Sequence, residues 1–65
     1  MPALLVKLFA GRSEESKREY ATALTEATVK VLGCKPEAVD IIFEDVQKSN
    51  WAHAGILWSD RDHLF

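Results

Sequence analysis

Residues 3–46 read ALLVKLFAGRSEESKREYATALTEATVKVLGCKPEAVDIIFEDV, and the change of hydrophobic period along this stretch decides the fold. From Ala3 to Phe9 the run is apolar except at Lys7, and it halts at Ala10-Gly11. Side chains alternate along a strand, so Leu4, Val6 and Leu8 face one way and Ala3, Leu5 and Phe9 the other. A strand apolar on both faces has to be covered on both. From Ser13 the period changes. Ser13 suits a helix N-cap, and Glu14 and Glu15 fall in the first turn, where carboxylates complement the helix dipole. Tyr20, Leu24, Ala27, Thr28 and Val31 follow the i, i+4, i+7 spacing of one buried stripe. Glu15, Arg18, Glu19, Thr22 and Glu26 make the solvated face, and Gly33 supplies the residue past the helix end. The spacing predicts one amphipathic helix of about five turns.

CKPEA (34–38) reads as a turn. VDIIFEDV (39–46) reads as a second strand, with Val39, Ile41 and Phe43 on one face and Asp40, Ile42 and Glu44 on the other. Strand, long helix and strand imply a right-handed crossover between two parallel strands, an α+β arrangement. The tail, QKSNWAHAGILWSDRDHLF (47–65), holds turn residues and a short apolar piece, GILW, expected to pair with a neighbour, with a short hairpin at the C-terminal end of the fold. No repeat, linker or low-complexity tract divides the chain, so residues 1–65 are expected to form a single domain. One helix covers one face of a two-stranded sheet. The other face calls for a second subunit.

Composition supports the same expectation. A chain of 65 residues buries only ~60% of its unfolded surface and needs help to be stable. Cys34 is the only cysteine, so an intrachain disulfide is excluded. Hydrophobic residues make up 48% of the chain, rich for so small an interior. Oligomerisation is the remedy left. Ten acids against eight bases, in no block of like charge, argue against a nucleic-acid partner. No apolar run reaches membrane-spanning length, and ALLVKLFAG (3–11) lacks the layout of a signal peptide. An unpaired cysteine fits a reducing compartment, so the expected location is the cytoplasm. His53, His63, Asp60, Asp62 and Cys34 are metal-ligand types without metal-ligand spacing, so no metal is expected. Cys34 follows a helix C-terminus, which disfavours a thiolate nucleophile. Trp58 is expected in interface packing.

Met1-Pro2, the apolar first strand, Gly11-Arg12-Ser13 opening a long helix, and EAVDIIFEDV (37–46) followed by NWAHAG (50–55) resemble the 4-oxalocrotonate tautomerase family. The resemblance runs in order over residues 1–57. It implies β-α-β subunits that pair into dimers, commonly assembled as hexamers, and an amino-terminal proline acting as general base without a cofactor. Carried onto this chain, it implies Pro2 as the base and Arg12 as the clamp for a substrate carboxylate. Phe9 would be an apolar wall, and Trp51 the aromatic that keeps the pocket dry. Asp40 is the departure: it stands where the founding tautomerase has a second arginine, which puts that enzyme's dicarboxylate substrate in question.

Moving a proton between oxygen and carbon of an enol acid needs a base poised near neutral pH. Removal of Met1 would free Pro2 as a secondary amine, and an apolar pocket with Arg12 nearby would favour its neutral form. An arginine fork matches a planar carboxylate. Pro2 and Arg12 lie at opposite ends of the first strand, ~20 Å or more apart, so they meet only between subunits. Asp40 begins the second parallel strand and is expected at the Pro2 end. There it would raise the amine's basicity, or orient a water in hydratase, dehalogenase or decarboxylase chemistry. Arg61 would supply the missing positive charge if the tail folds back. The competing expectation is an oligomeric subunit that keeps the fold and lacks the chemistry.

Overall fold

A helix laid across two parallel strands forms the body of the molecule, seen in a computed structural model that describes the backbone of residues 2–64 and the side chains of residues 2–61. Strand β1 (Ala3–Phe9) leads into helix α1 (Glu14–Leu32), which returns the chain to strand β2 (Asp40–Val46). The strands pair in parallel and in full register, from Ala3 opposite Asp40 to Phe9 opposite Val46. A hairpin of β3 (Ala52–His53) and β4 (Ile56–Leu57) follows, and a 3₁₀ turn from Trp58 to Leu64 ends the described chain. Met1 and the His63 and Asp62 side chains lie outside the described residues.

Local chemistry fixes the ends of these elements. The amide of Ala10 donates to the Val46 carbonyl at 2.9 Å, and Gly11, at φ 116°, turns the chain out of the sheet. Ser13 caps α1 by accepting from the Ser16 amide at 3.2 Å. Gly33 closes the helix in the left-handed region at φ 71°, its amide donating to Val29 at 2.9 Å. Both caps stand where the sequence pattern puts them. The CKPEA turn is a 3₁₀ turn over Pro36–Ala38, closed by the Val39 amide on the Pro36 carbonyl at 3.1 Å. That bond holds Val39 out of the ladder, so β2 starts at Asp40 rather than Val39. GILW pairs within the chain, Ala52 opposite Leu57 and His53 opposite Ile56.

The helix stripe differs from the expected one. Lys17, Ala21, Leu24, Thr25, Thr28 and Val29 are the half-buried positions, whereas Tyr20, Ala27 and Val31 are exposed. Lys17 explains the rotation: its ammonium reaches Asp45 of β2 at 2.7 Å, which draws that helix face onto the sheet. Thr28 turns its hydroxyl back onto the Leu24 carbonyl at 2.8 Å and leaves its methyl for packing. Leu24 and Thr28 are where the spacing puts them, but apolar count alone could not rank Lys17 and Thr25 as inward-facing. Tyr20 still meets the sheet through a tilted stack on Phe43 at 5.9 Å.

What the helix leaves uncovered is as informative. On the far side of the sheet Leu5 and Ile42, register partners, are 60% and 59% exposed. Val31 and Leu32 at the end of α1 are 78% and 63% exposed. Among the described residues no side chain is fully buried. The radius of gyration is 15.0 Å, against ~11 Å for a compact domain of this length. The fold has one half of a core. A second copy seated on Leu5 and Ile42 would complete it.

Candidate active site

Strand β1 separates the residues of interest into two groups. Seven extended residues span about 23 Å, with Pro2 before the first and Arg12 beyond the last. At the near end, the Asp40 amide donates to the Pro2 carbonyl at 3.0 Å, and Asp40 lies opposite Ala3 in the ladder. Asp40 therefore sits beside Pro2, as its place at the head of the second strand requires. Pro2 is half-buried; Asp40 is exposed and makes no ion pair among the described residues.

The far end is built from aromatic rings. Phe9 shares a strand face with Leu5 and Lys7, the face turned away from α1. The hairpin folds over that end of it. Trp51 tilts against Phe9 with ring centroids 4.7 Å apart, and Trp58 meets Phe9 edge-on at 5.6 Å. The Trp58 amide donates to the Trp51 carbonyl at 2.8 Å, which holds the two tryptophans on either side of the hairpin. The hairpin closes through Ala54 and Gly55, both at positive φ (55° and 78°), the conformation that two-residue turns between antiparallel strands require. Trp58, expected in interface packing, is half-buried and makes this ring contact with Phe9 of its own chain.

Three cations gather around this cluster. Arg12 is exposed and borders an open cleft with Phe9, Ser13, Ser16 and Lys48. The 3₁₀ turn over Lys48–Asn50 carries the Lys48 ammonium to 5.7 Å from the centre of the Phe9 ring. Arg61, on the returning tail, lays its guanidinium over Trp58 at 5.1 Å and donates through Nη2 to the His53 carbonyl. Lys48 carries no sequence signal of its own, because only the turn brings it over Phe9.

One chain therefore joins Phe9, Arg12 and Trp51 at one end, and Pro2 and Asp40 at the other. It does not bring the two groups together. Among the described residues no three His, Cys, Asp or Glu side chains cluster as metal ligands, and Cys34 is a free, half-buried thiol.

The family described as "Tautomerase enzyme" matches residues 2–61, a match that opens on Pro2 and ends on Arg61. The chain belongs to the tautomerase family. Among relatives of this tautomerase, a protein of Staphylococcus haemolyticus named "Probable tautomerase" is 39% identical over 62 residues, 95% of this chain and all of that one. A solved 4-oxalocrotonate tautomerase isozyme from Methylibium petroleiphilum superposes with a TM-score of 0.93 at 30% identity, over 98% of this chain and all of that one. A heterohexameric 4-oxalocrotonate tautomerase from Chloroflexus aurantiacus superposes with a TM-score of 0.87 at 30% identity, over 92% of this chain and 97% of that one. The fold of parallel strands, one long helix and a small hairpin is thus that of the 4-oxalocrotonate tautomerases.

Proposed function

We propose that the protein is a cofactor-independent keto-enol tautomerase acting in the cytoplasm on a small 2-oxo or 2-hydroxy-enoic carboxylic acid. After removal of Met1, the Pro2 amine is the general base. The observation that carries this reading is the division along β1: each end holds half of what the reaction needs, and the exposed Leu5–Ile42 face supplies the reason for a second copy to bring the halves together. A hexamer built as a trimer of dimers is the assembly we propose, in line with the heterohexameric neighbour.

In the assembled site the Pro2 amine of one subunit faces the Phe9–Trp51 wall and Arg12 of another. Arg12 clamps the substrate carboxylate through its planar fork and draws electron density toward it. The amine takes the enol proton and returns a proton to carbon. The aromatic wall excludes water and disfavours the ammonium form, so the base stays neutral near neutral pH. Asp40 opposes this through its negative charge. The Asp40 carboxylate is exposed and without an ion pair among the described residues, and the backbone amide of the same residue donates to the Pro2 carbonyl, which favours a second reading. In it Asp40 positions a water for hydratase, dehalogenase or decarboxylase chemistry.

The test is ultraviolet-monitored ketonisation of an aryl enolpyruvate by protein whose intact mass shows Met1 removed, beside Pro2→Ala. Turnover falling about 10²–10⁴-fold in the variant supports the amine as base. A product that gains water supports the second reading. Equal inertness of both proteins leaves a subunit that keeps the fold without the chemistry.

A further inference from the structure

The hairpin that follows Trp51 is poorly equipped to hold itself shut. It has two ladder pairs, Ala52 opposite Leu57 and His53 opposite Ile56, and a hairpin so short is marginal in water. Its turn is strained as well. Ala54 lies in the left-handed region at φ 55°, where a Cβ crowds the backbone. Ile56 and Leu57 are 48% and 39% exposed, so β4 gains little from burial. Yet the contact between Trp51 and Phe9, the wall of the candidate site, depends on this hairpin lying down.

Arg61 supplies what the hairpin lacks. Its guanidinium lies over the Trp58 ring at 5.1 Å, and its Nη2 donates to the His53 carbonyl. His53 ends β3 and Trp58 directly follows β4, so one side chain grips both arms. Trp58 is tied in turn to the wall: its amide donates to the Trp51 carbonyl at 2.8 Å, and its ring meets Phe9 edge-on at 5.6 Å. A planar guanidinium stacks by its face and donates by its edge at the same time, which an ammonium cannot do. Arg61 is half-buried and makes no ion pair among the described residues. We propose that Arg61 is a positioning residue: it clasps the two arms of the hairpin and thereby keeps Trp51 seated on Phe9. It acts through Trp58 and His53, not on the substrate. Without the clasp the hairpin samples an open form that lacks the wall. Substrate then binds the closed fraction alone, which weakens apparent binding, while saturating substrate restores the closed form and its rate. This consequence for turnover rests on the proposed site; the clasp itself does not.

Amide hydrogen exchange of the assembled protein reads the clasp directly. In Arg61→Gln the Trp58 amide is expected to exchange about tenfold faster or more, and the Asp40 and Gly33 amides to stay within about twofold of wild type. In ketonisation of the aryl enolpyruvate the same variant is expected to raise KM about 3- to 10-fold and to hold kcat within about twofold. Arg61→Lys, which can donate to the His53 carbonyl but has no planar face, is expected to recover part of both effects. Unchanged exchange at Trp58 in Arg61→Gln overturns the proposal. So does equal acceleration of all the amides followed, which marks a general loss of stability, and so does an unchanged KM beside faster exchange at Trp58. Should the wild-type protein turn over no enolpyruvate, the tautomerase reading fails and fluorescence titration with cinnamate, a planar unsaturated acid that binds without proton transfer, replaces KM. Weaker cinnamate binding by Arg61→Gln then upholds the clasp, and equal binding, or none by the wild-type protein, overturns it.

Discussion

Pro2 and Phe9 belong to one strand and live in opposite circumstances. Phe9 has its surroundings built by its own chain: two tryptophans, a lysine over its ring and an arginine one ring further on. Pro2 is half-buried and accepts a ladder hydrogen bond from the Asp40 amide. One end of the subunit is pre-organised, and the other is left for a neighbour to complete. The difference teaches that this chain builds an aromatic wall at one end of β1 and leaves the Pro2 end open, which on the proposed reading keeps wall and base apart until subunits assemble. A single strand serves both ends because its length keeps them from touching within one subunit.

The most direct way to break this comparison is to prevent assembly. Leu5→Asp puts a charge on the uncovered face beside Ile42, where burial of an unpaired carboxylate is prohibitive. Size-exclusion chromatography is expected to show dissociated subunits, and ketonisation is expected to fall more than about 100-fold although Pro2 and Phe9 are untouched. Full activity in a monomer would mean that the two ends need no partner. A milder break is at the wall itself. Trp51→Ala is expected to keep the assembly and lose about 100-fold in kcat/KM, since a loosened wall misplaces the substrate.

Smaller effects sharpen the contrast between framework and site. Ser13→Ala removes the helix cap and is expected to lower stability by about 1 kcal/mol in urea unfolding at fixed protein concentration. Its kcat should stay near wild type, because the Ser13 hydroxyl serves the helix end. The finest probe is Asp40→Asn. A carboxylate beside an amine favours the ammonium form, so removing the charge makes the amine less basic. The acidic limb of the pH dependence of kcat/KM is expected to move to lower pH. No movement would place Asp40 out of electrical contact with the base.

Much of this was legible before any coordinates. The strand over Ala3–Phe9, the Ser13 and Gly33 caps and the parallel return all follow from periods of two and 3.6 and from cap chemistry, which are properties of neighbouring residues. The register at Asp40 follows too, since parallel strands joined by a helix start at the same end. The helix stripe was less legible: Tyr20, Ala27 and Val31 look inward by hydrophobicity, and Lys17 and Thr25 take their place. That exchange depends on Asp45, a residue 28 positions away from Lys17. The aromatic end was legible in its members Phe9 and Trp51 but not in Lys48, which reaches the Phe9 ring only because a turn places it there.

The amino-acid sequence by itself determined the elements, their ends, their direction and the shortage of interior that makes a lone subunit incomplete. These depend on local geometry and on the ratio of apolar residues to chain length. Tertiary structure alone decided which helix face meets the sheet, that Trp58 meets Phe9 of its own chain, and that Arg61 is held over Trp58 with one nitrogen on the His53 carbonyl. Those contacts join residues far apart along the chain, and no local period carries the information that brings them together.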